Sequence, residues 1–389
     1  MFADRTNWRT QPNRLAACLA ERRRLGLAVI DLTESNPTRC GLSPNGGEVL
    51  ARFLDPRGLR YEPHPKGLPA AREAISAYHA GRGVRVPPER LIVASGTSEC
   101  YSWAFRLLAN PGDEILAPAP SYPLFDFLAD INDVRLVSYP LAYDHGWSID
   151  LDGLWSRISS RTRAILVVSP NNPTGSYLKS GERDELAALA RRHGLALIAD
   201  EVFRDYPWTA RAAAAPSLLE TDGCLAFTFN GLSKICALPQ MKLAWMAASG
   251  PAELAEDALS RLEVIADTYL SVSTPLQWAA VQWLGEASAV QTIILARVRS
   301  NLEYLDSLLA GSNSPVTRLE SEGGWYAALR VPNTRSDEEW ALGLLQEHGV
   351  YVHPGHFFEF PRDGYLIVSL ISEEAEFRTG MERLIDTIR

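Results

Sequence analysis

The stretch "AILVVSPNNPTGSYLKSGERDELAALARRHGLALIAD" (residues 164–200) decides the fold. Two short apolar runs, AILVV and LALIA, are bounded by turn residues and read as buried strands. Between them, SGERDELAALARRHG repeats its apolar residues with the period of a helix. Strand, helix and strand in this spacing argue for a parallel sheet covered on both faces. Polar residues collect where the strands stop, with NNPTG after the first and Asp200 closing the second.

Working outward, the same alternation runs from about residue 90 to 230. LIVAS leads into SECYSWAFRLLAN, EILAP into PLFDFLADI, and CLAFTF into NGLSK. After about residue 275 the pattern changes to a long helical stretch, PLQWAAVQWL to NLEYLDSLLAG, then GWYAALRV, EEWALGLLQEHG, YLIVSL and a last helix. The chain is therefore expected to be α/β, with a large domain at 46–280, a smaller α+β domain at 281–389, and residues 1–45 as an arm or part of the small domain.

Composition excludes several classes. Hydrophobic content of 46% and charged content of 22% are ordinary for a globular protein, so a sizeable core is available. A net charge of -9 with scattered basic residues argues against nucleic acid as a partner. Cys18, Cys40, Cys100, Cys224 and Cys236 form no C-x-x-C pair, which indicates neither a zinc site nor a disulfide framework and suits a reducing compartment. The N-terminus lacks the apolar core of a signal peptide, and no apolar run reaches membrane-spanning length, so a cytoplasmic protein without a membrane partner is expected.

In an open parallel sheet, ligands sit beyond the carboxyl ends of the strands, where helix N-termini point at them. Four such ends are readable. After LIVAS, Gly96, Thr97 and Ser98 of GTSE offer N–H groups and hydroxyls to an anion; NNPTG offers an amide, LALIAD ends in the carboxylate Asp200, and NGLSK carries Lys234. Singly these read as a turn and helix cap, a turn, a salt-bridge partner and a surface lysine. Together, an amine that condenses with an aldehyde, a carboxylate for a pyridine nitrogen and a phosphate cup are what pyridoxal phosphate requires.

SPNNPTG (169–175), DEVFRDY (200–206), LSK followed by LPQMK (232–242), GTSE and SYP (121–123) resemble the motifs of class I/II aminotransferases, which have the type I pyridoxal phosphate fold. The resemblance extends from YEPHPKGLPAAREAI near residue 61 to the final helix, and implies a mostly parallel sheet of the seven-stranded type. It implies Lys234 as the Schiff-base and proton-transferring residue and Asp200 as the partner of the pyridinium nitrogen. Asn172 matches the amide on the cofactor's phenolic oxygen, Tyr122 the aromatic stacked on its ring, and Thr97 and Ser98 the phosphate-binding pair. Lys242 stands where the family usually has an arginine for the phosphate; it keeps the charge and loses the bidentate geometry. Tyr61 resembles a tyrosine that reaches the neighbouring subunit's phosphate, implying a homodimer with shared active sites.

Three departures from the family pattern matter. Phe203 replaces a tyrosine whose hydroxyl contacts the phenolic oxygen, and Gly231 replaces a serine at the phosphate, with Ser233 or Asn230 as substitutes. Ile367, in GYLIVSL, stands where members carry the arginine that clamps the substrate carboxylate. Arg362, Ser35, Asn36 and Asn172 are candidates to take over that task, with a surface role as the alternative for Arg362. No Lys or Arg lies between Arg261 and Arg297, the region from which dicarboxylate-specific relatives bind a side-chain carboxylate. GGWY (323–326), HPGHFF (353–358) and Tyr269 offer aromatic surface for a neutral or aromatic substrate, or small-domain core; His353 and His356 flank a turn, and no metal is assigned. The expectation is an aminotransferase acting on an amino acid and a 2-oxo acid. The alternative is another pyridoxal phosphate reaction, such as that of a β-lyase, decarboxylase or oxidase.

Overall fold

A computed structural model describes residues 1–389. In the N-terminal arm lies a short strand, β1 (Ile30–Asp31). The large sheet takes the next eight: β2 (Leu91–Ala94), β3 (Glu114–Ala119), β4 (Arg135–Tyr143), β5 (Trp147–Ile149), β6 (Thr162–Val168), β7 (Ala196–Asp200), β8 (Ala226–Gly231) and β9 (Ala244–Ser249). Their order is β2-β9-β8-β7-β6-β3-β4-β5. Neighbours from β4 through β3, β6 and β7 to β8 run parallel. β9 is antiparallel to both β8 and β2, and β5 adds an eighth, antiparallel strand at the far edge.

The all-apolar strands are explained by burial on two faces. Every residue of β7 is buried; Ile198 joins one core with Phe105, Phe227 and Leu262, while Leu197 and Ala199 point the other way into a core with Leu166's neighbours Ile165 and Val167 and with Leu186. Alternation of side chains along a strand sends successive residues to opposite faces, so no polar face is needed. Truncating such a leucine to alanine costs about 2–5 kcal/mol.

The remaining strands are β10 (Thr317–Arg318), β11 (Tyr326–Arg330), β12 (Val350–Tyr351), β13 (His353–Pro354) and β14 (Tyr365–Ser369). They form a small sheet of order β10-β11-β14-β13, while β12 pairs in parallel with β1 of the arm. The arm thus belongs with the small unit, and Leu15 and Leu32 share its core with Leu344, Phe377 and Leu384.

The helix Thr274–Gly311 runs 38 residues without a break, through the boundary expected at residue 280. Leu276, Ala280, Trp283 and Ala287 pack against the large sheet, whereas Val290, Ile294, Val298 and Leu305 lie in the small unit's core. The change of core therefore falls nearer residue 288 than 280. No helix is long and apolar enough to cross a membrane. The two units meet at the carboxyl ends of the parallel strands: the Ser121 N–H donates to the Phe358 carbonyl at 2.9 Å, and Phe203 and Tyr206, just beyond β7, pack in the small unit's core.

Candidate active site

A cavity of about 300 Å³ opens between the two units, lined by Thr97, Tyr122, Asn172, Asp200, Phe203, Gly231, Ser233, Lys234, Lys242, Ser35 and Tyr326, among others. Six of the residues expected from the sequence, Thr97, Tyr122, Asn172, Asp200, Lys234 and Lys242, converge there from five separate segments. All but Lys242, which precedes the antiparallel β9, stand at or just past a strand end, as parallel topology requires.

At the anion cup, Gly96 is the N-cap of the helix Thr97–Leu108 and has extended backbone, with no side chain capping the first turn. The N–H groups of that turn have no intrahelical acceptor and face an anion with the positive end of the helix dipole. The Lys242 ammonium closes the cup: a Cβ built on Gly96 would lie 3.5 Å from Nζ. Lys242 itself is left-handed, with φ 50° and ψ 55°, and exposed, so it is a surface residue of the chain despite its apolar neighbours in sequence. Thr97 lines the cavity; Ser98, the next residue, is exposed and does not.

Asp200 is buried, and its two oxygens are both used. Oδ1 accepts from the Val202 N–H at 3.0 Å, and Oδ2 accepts from the Tyr101 hydroxyl at 2.8 Å. Burial nevertheless raises its pKa above the usual carboxylate range, against these donors and the Lys234 charge. Tyr101, which the motif reading missed, is the side chain that holds this carboxylate from the helix. It lies four residues after Thr97 and so on the same face of that helix.

Lys234 follows β8 in the short helix Leu232–Ile235. The Tyr206 hydroxyl donates to its carbonyl, and the Gln291 amide donates to the next carbonyl, Ile235, at 3.1 Å. Its ammonium lies 4.8 Å from the Trp325 ring centroid and 5.2 Å from that of Phe203. Burial lowers its pKa to about 8, with Asp200 opposing the fall. Removing an ammonium from water favours the neutral amine, the form that can act as nucleophile and base.

Asn172 is buried, and its Oδ1 has no partner within the protein. An orphaned buried acceptor facing a cavity is what a ligand's donor would satisfy. Its neighbour Asn171 is fully engaged, donating to the Pro120 carbonyl at 2.8 Å and accepting from Ser121 at 3.1 Å. Gly231 packs directly on the neighbouring strand, where an added Cβ would come within 2.9 Å of the Ala244 Cβ. Asn230 turns inward, donating to the Glu201 carbonyl at 3.1 Å and accepting from the Gly231 N–H at 2.8 Å. Of the two substitutes for the missing serine, only Ser233 lines the cavity.

Besides Gly96 and Ser98, Asn36, Arg362 and Tyr61 are not among the residues lining the cavity. The Asn36 amide oxygen accepts from the Thr38 N–H and hydroxyl at 3.0 and 2.8 Å, closing a turn, so Ser35 lines the cavity in its place. Arg362 is exposed, with Nε 3.4 Å from the Tyr365 hydroxyl. Tyr61 is 75% exposed, beside Leu59 and Ser271 in a separate cleft. Ile367 is fully buried among Ala328, Phe358, Phe360 and Tyr365.

These residues fit pyridoxal phosphate: a cationic cup for a phosphate, a buried carboxylate, a buried amide with an unpartnered oxygen and a lysine whose pKa burial lowers share one space. Residues 28–384 match the family model "Aminotransferase class I and II". Glutamate-pyruvate aminotransferase AlaA of Escherichia coli K12 is 30% identical over 344 residues, 82% of each chain. Alanine aminotransferase of Mycobacterium tuberculosis H37Rv is 30% identical over 374 residues, 92% of this chain and 85% of that one. Among solved structures, an alanine aminotransferase from Pyrococcus furiosus superposes with a TM-score of 0.89 at 23% identity, covering 100% of this chain and 99% of that one, a likeness of fold. The chain belongs to the class I/II aminotransferases. It is a pyridoxal-phosphate-dependent transaminase of the type I fold, and its substrates are amino acids and 2-oxo acids.

Proposed function

We propose that the enzyme moves the amino group of a small neutral amino acid of the alanine type to a 2-oxo acid, with Lys234 as its covalent and proton-transferring residue. The observation that carries this reading is the convergence of Lys234, Asp200, Asn172, Thr97 and Lys242 on one cavity. The preference for a small neutral substrate is supported by the names of the two relatives above and by the absence of Lys and Arg between Arg261 and Arg297.

Pyridoxal phosphate, when bound, supplies an aldehyde for the amine and a ring that withdraws electrons from the α-carbon. Lys242 and the first-turn N–H groups at Gly96, Thr97 and Ser98 would hold its phosphate, and the Asn172 amide N–H would donate to its phenolic oxygen. Tyr122 would cover the ring. Asp200, held as an anion by Tyr101 and Val202, would keep the ring nitrogen protonated. Lys234, set free by the incoming substrate amine, would take the proton from the α-carbon and deliver it to the adjacent carbon. Holding that amine beside both atoms supplies proximity as well as basicity.

The proposal extends to a cytoplasmic homodimer in which Tyr61 reaches the neighbouring subunit's phosphate. Leu54, Leu59 and Tyr61 are 81%, 90% and 75% exposed in the single chain, which favours a partner over that surface. The arm at 1–45 and the residues after about 288 would form the unit closing the cavity over the large sheet.

The test is spectroscopic. Purified protein with pyridoxal phosphate is given L-alanine or L-glutamate, and the visible band should vanish and return on adding pyruvate or 2-oxoglutarate. Release of ammonia or carbon dioxide without that reversal would point to a lyase or decarboxylase, the alternative that the Ile367 substitution raises.

A further inference from the structure

The cavity has cations for a phosphate and for the reacting carbon, but no guanidinium: its lining contains Lys234 and Lys242 and no arginine. The position of the family's carboxylate clamp, Ile367, is committed to an apolar cluster. Its cross-strand partner is Ala328, and the next pair on the same face, two residues along each strand, is Tyr326 with Ser369. Tyr326 is thus the first polar side chain on that face beyond Ile367 that reaches the cavity.

We infer that Tyr326 Oη, with Ser35 Oγ, holds the substrate's α-carboxylate by neutral hydrogen bonds in place of the guanidinium. The inference rests on the cavity's being the cofactor and substrate site. Ser35 enters the same space from the arm, and both it and the Asn172 amide lie close enough to the Tyr326 hydroxyl to oppose the rise in its pKa. Burial pushes that phenol up to about 12, so it keeps its proton and remains a donor throughout the neutral range. The ring is fixed edge-on to Phe203, with centroids 6.1 Å apart, which places the hydroxyl by packing. Glu34 and Glu322 hold other partners: Glu34 accepts from the Asn36 N–H at 2.9 Å, and Glu322 from Lys179 at 2.8 Å. Neither competes as an acceptor for these hydroxyls.

The test compares two probes on the holoenzyme that bind without turnover through an α-proton on a carboxylate-bearing carbon. 2-Aminoisobutyrate carries an amine and a carboxylate; isopropylamine is the same molecule without the carboxylate. Both report their binding through the visible spectrum of the bound cofactor. Tyr326→Phe should weaken 2-aminoisobutyrate about 10- to 100-fold, the loss of one hydrogen bond to a charged group, and leave isopropylamine within about twofold. Ser35→Ala should act in the same sense, and the Phe ring preserves the packing. Equal weakening of both probes, or of neither, would overturn the assignment. If instead wild-type protein forms no visible band with pyridoxal phosphate, or Lys234→Ala keeps it, the reading of the cavity itself is wrong.

Discussion

Replacing Tyr101 by phenylalanine isolates one hydrogen bond beneath the site. The hydroxyl is buried and donates to Asp200 Oδ2 at 2.8 Å, and the rings of Phe125 and Phe229 packed on residue 101 offer no replacement donor once it is gone. A hydrogen bond to a charged group is worth about 1.5–3 kcal/mol, and one to a neutral group about 0.5–1.5 kcal/mol. Asp200 already has its pKa raised by burial, so its contribution to stability is fully present below the unfolded pKa of ~3.9 and is lost as pH rises through the folded value. Removing Tyr101 raises the folded pKa further, because the ionised form loses more than the neutral one. The apoprotein variant should therefore fall short of wild type by about 1.5–3 kcal/mol near pH 7, and by about 0.5–1.5 kcal/mol once Asp200 is protonated in both states. Urea denaturation at a series of pH values measures the difference. A deficit that stays constant from neutral to acid pH, or no deficit at all, would refute the reasoning.

Lys234→Ala should abolish both the covalent cofactor band and turnover, while dialysed and re-supplied protein still binds the cofactor reversibly, as followed by fluorescence quenching. Lys242→Gln should keep the covalent band at saturating cofactor and raise the cofactor's dissociation constant about 10- to 100-fold, the loss of one charge-assisted contact, measured by equilibrium titration. In the apoprotein, an amine-selective reagent should modify Lys234 with a midpoint near pH 8, where burial has put its pKa, well below the ordinary lysine value of ~10.4. The sign for stability follows: the unfolded chain binds more protons between those two values, so the wild-type apoprotein should gain stability relative to Lys234→Met as pH rises through that window. Gly231→Ser, which restores the residue usual in the family, should destabilise by about 1–3 kcal/mol, since its Cβ would lie 2.9 Å from that of Ala244, and calorimetry would show a lowered Tm.

The parallel half of the large sheet was legible because burial on both faces leaves apolar runs and polar ends. An amide of NNPTG, Asp200 and Lys234 could be placed at one edge from that pattern alone, while the choice of Asn172 came from the resemblance. β9 was not read as a strand: Ala244–Ser249 is antiparallel and follows the LPQMK motif, whose 3-10 turn and left-handed Lys242 separate it from β8 by a short connection without a helical pattern of its own. Tyr101 was invisible as a functional group because a tyrosine among Cys100, Trp103 and Phe105 reads as core, which in large part it is. Arg362 and Asn36 show the opposite failure. Both lie near the right segment in sequence, but one is exposed and the other spends its amide on a turn, and neither outcome is written in spacing. The division at residue 280 failed to anticipate that a helix can belong to two cores in succession, because its apolar stripe continues unbroken while its neighbours change.

That helix also constrains how the enzyme can move. At 1.5 Å per residue, its 38 residues make a beam about 57 Å long, anchored at one end under the sheet and at the other inside the unit that would close on the substrate. A bend of roughly 5° near residue 288 would carry the far end, ~23 residues and ~35 Å away, through about 3 Å. Closure of that size needs no broken hydrogen bond and no flexible linker, only the gentle curvature that long helices tolerate. The residue after Lys234 is tied to the same beam, since Gln291, three residues past the pivot, donates to the Ile235 carbonyl. A tilt of the small unit about that pivot would therefore act on the backbone beside Lys234 through one hydrogen bond.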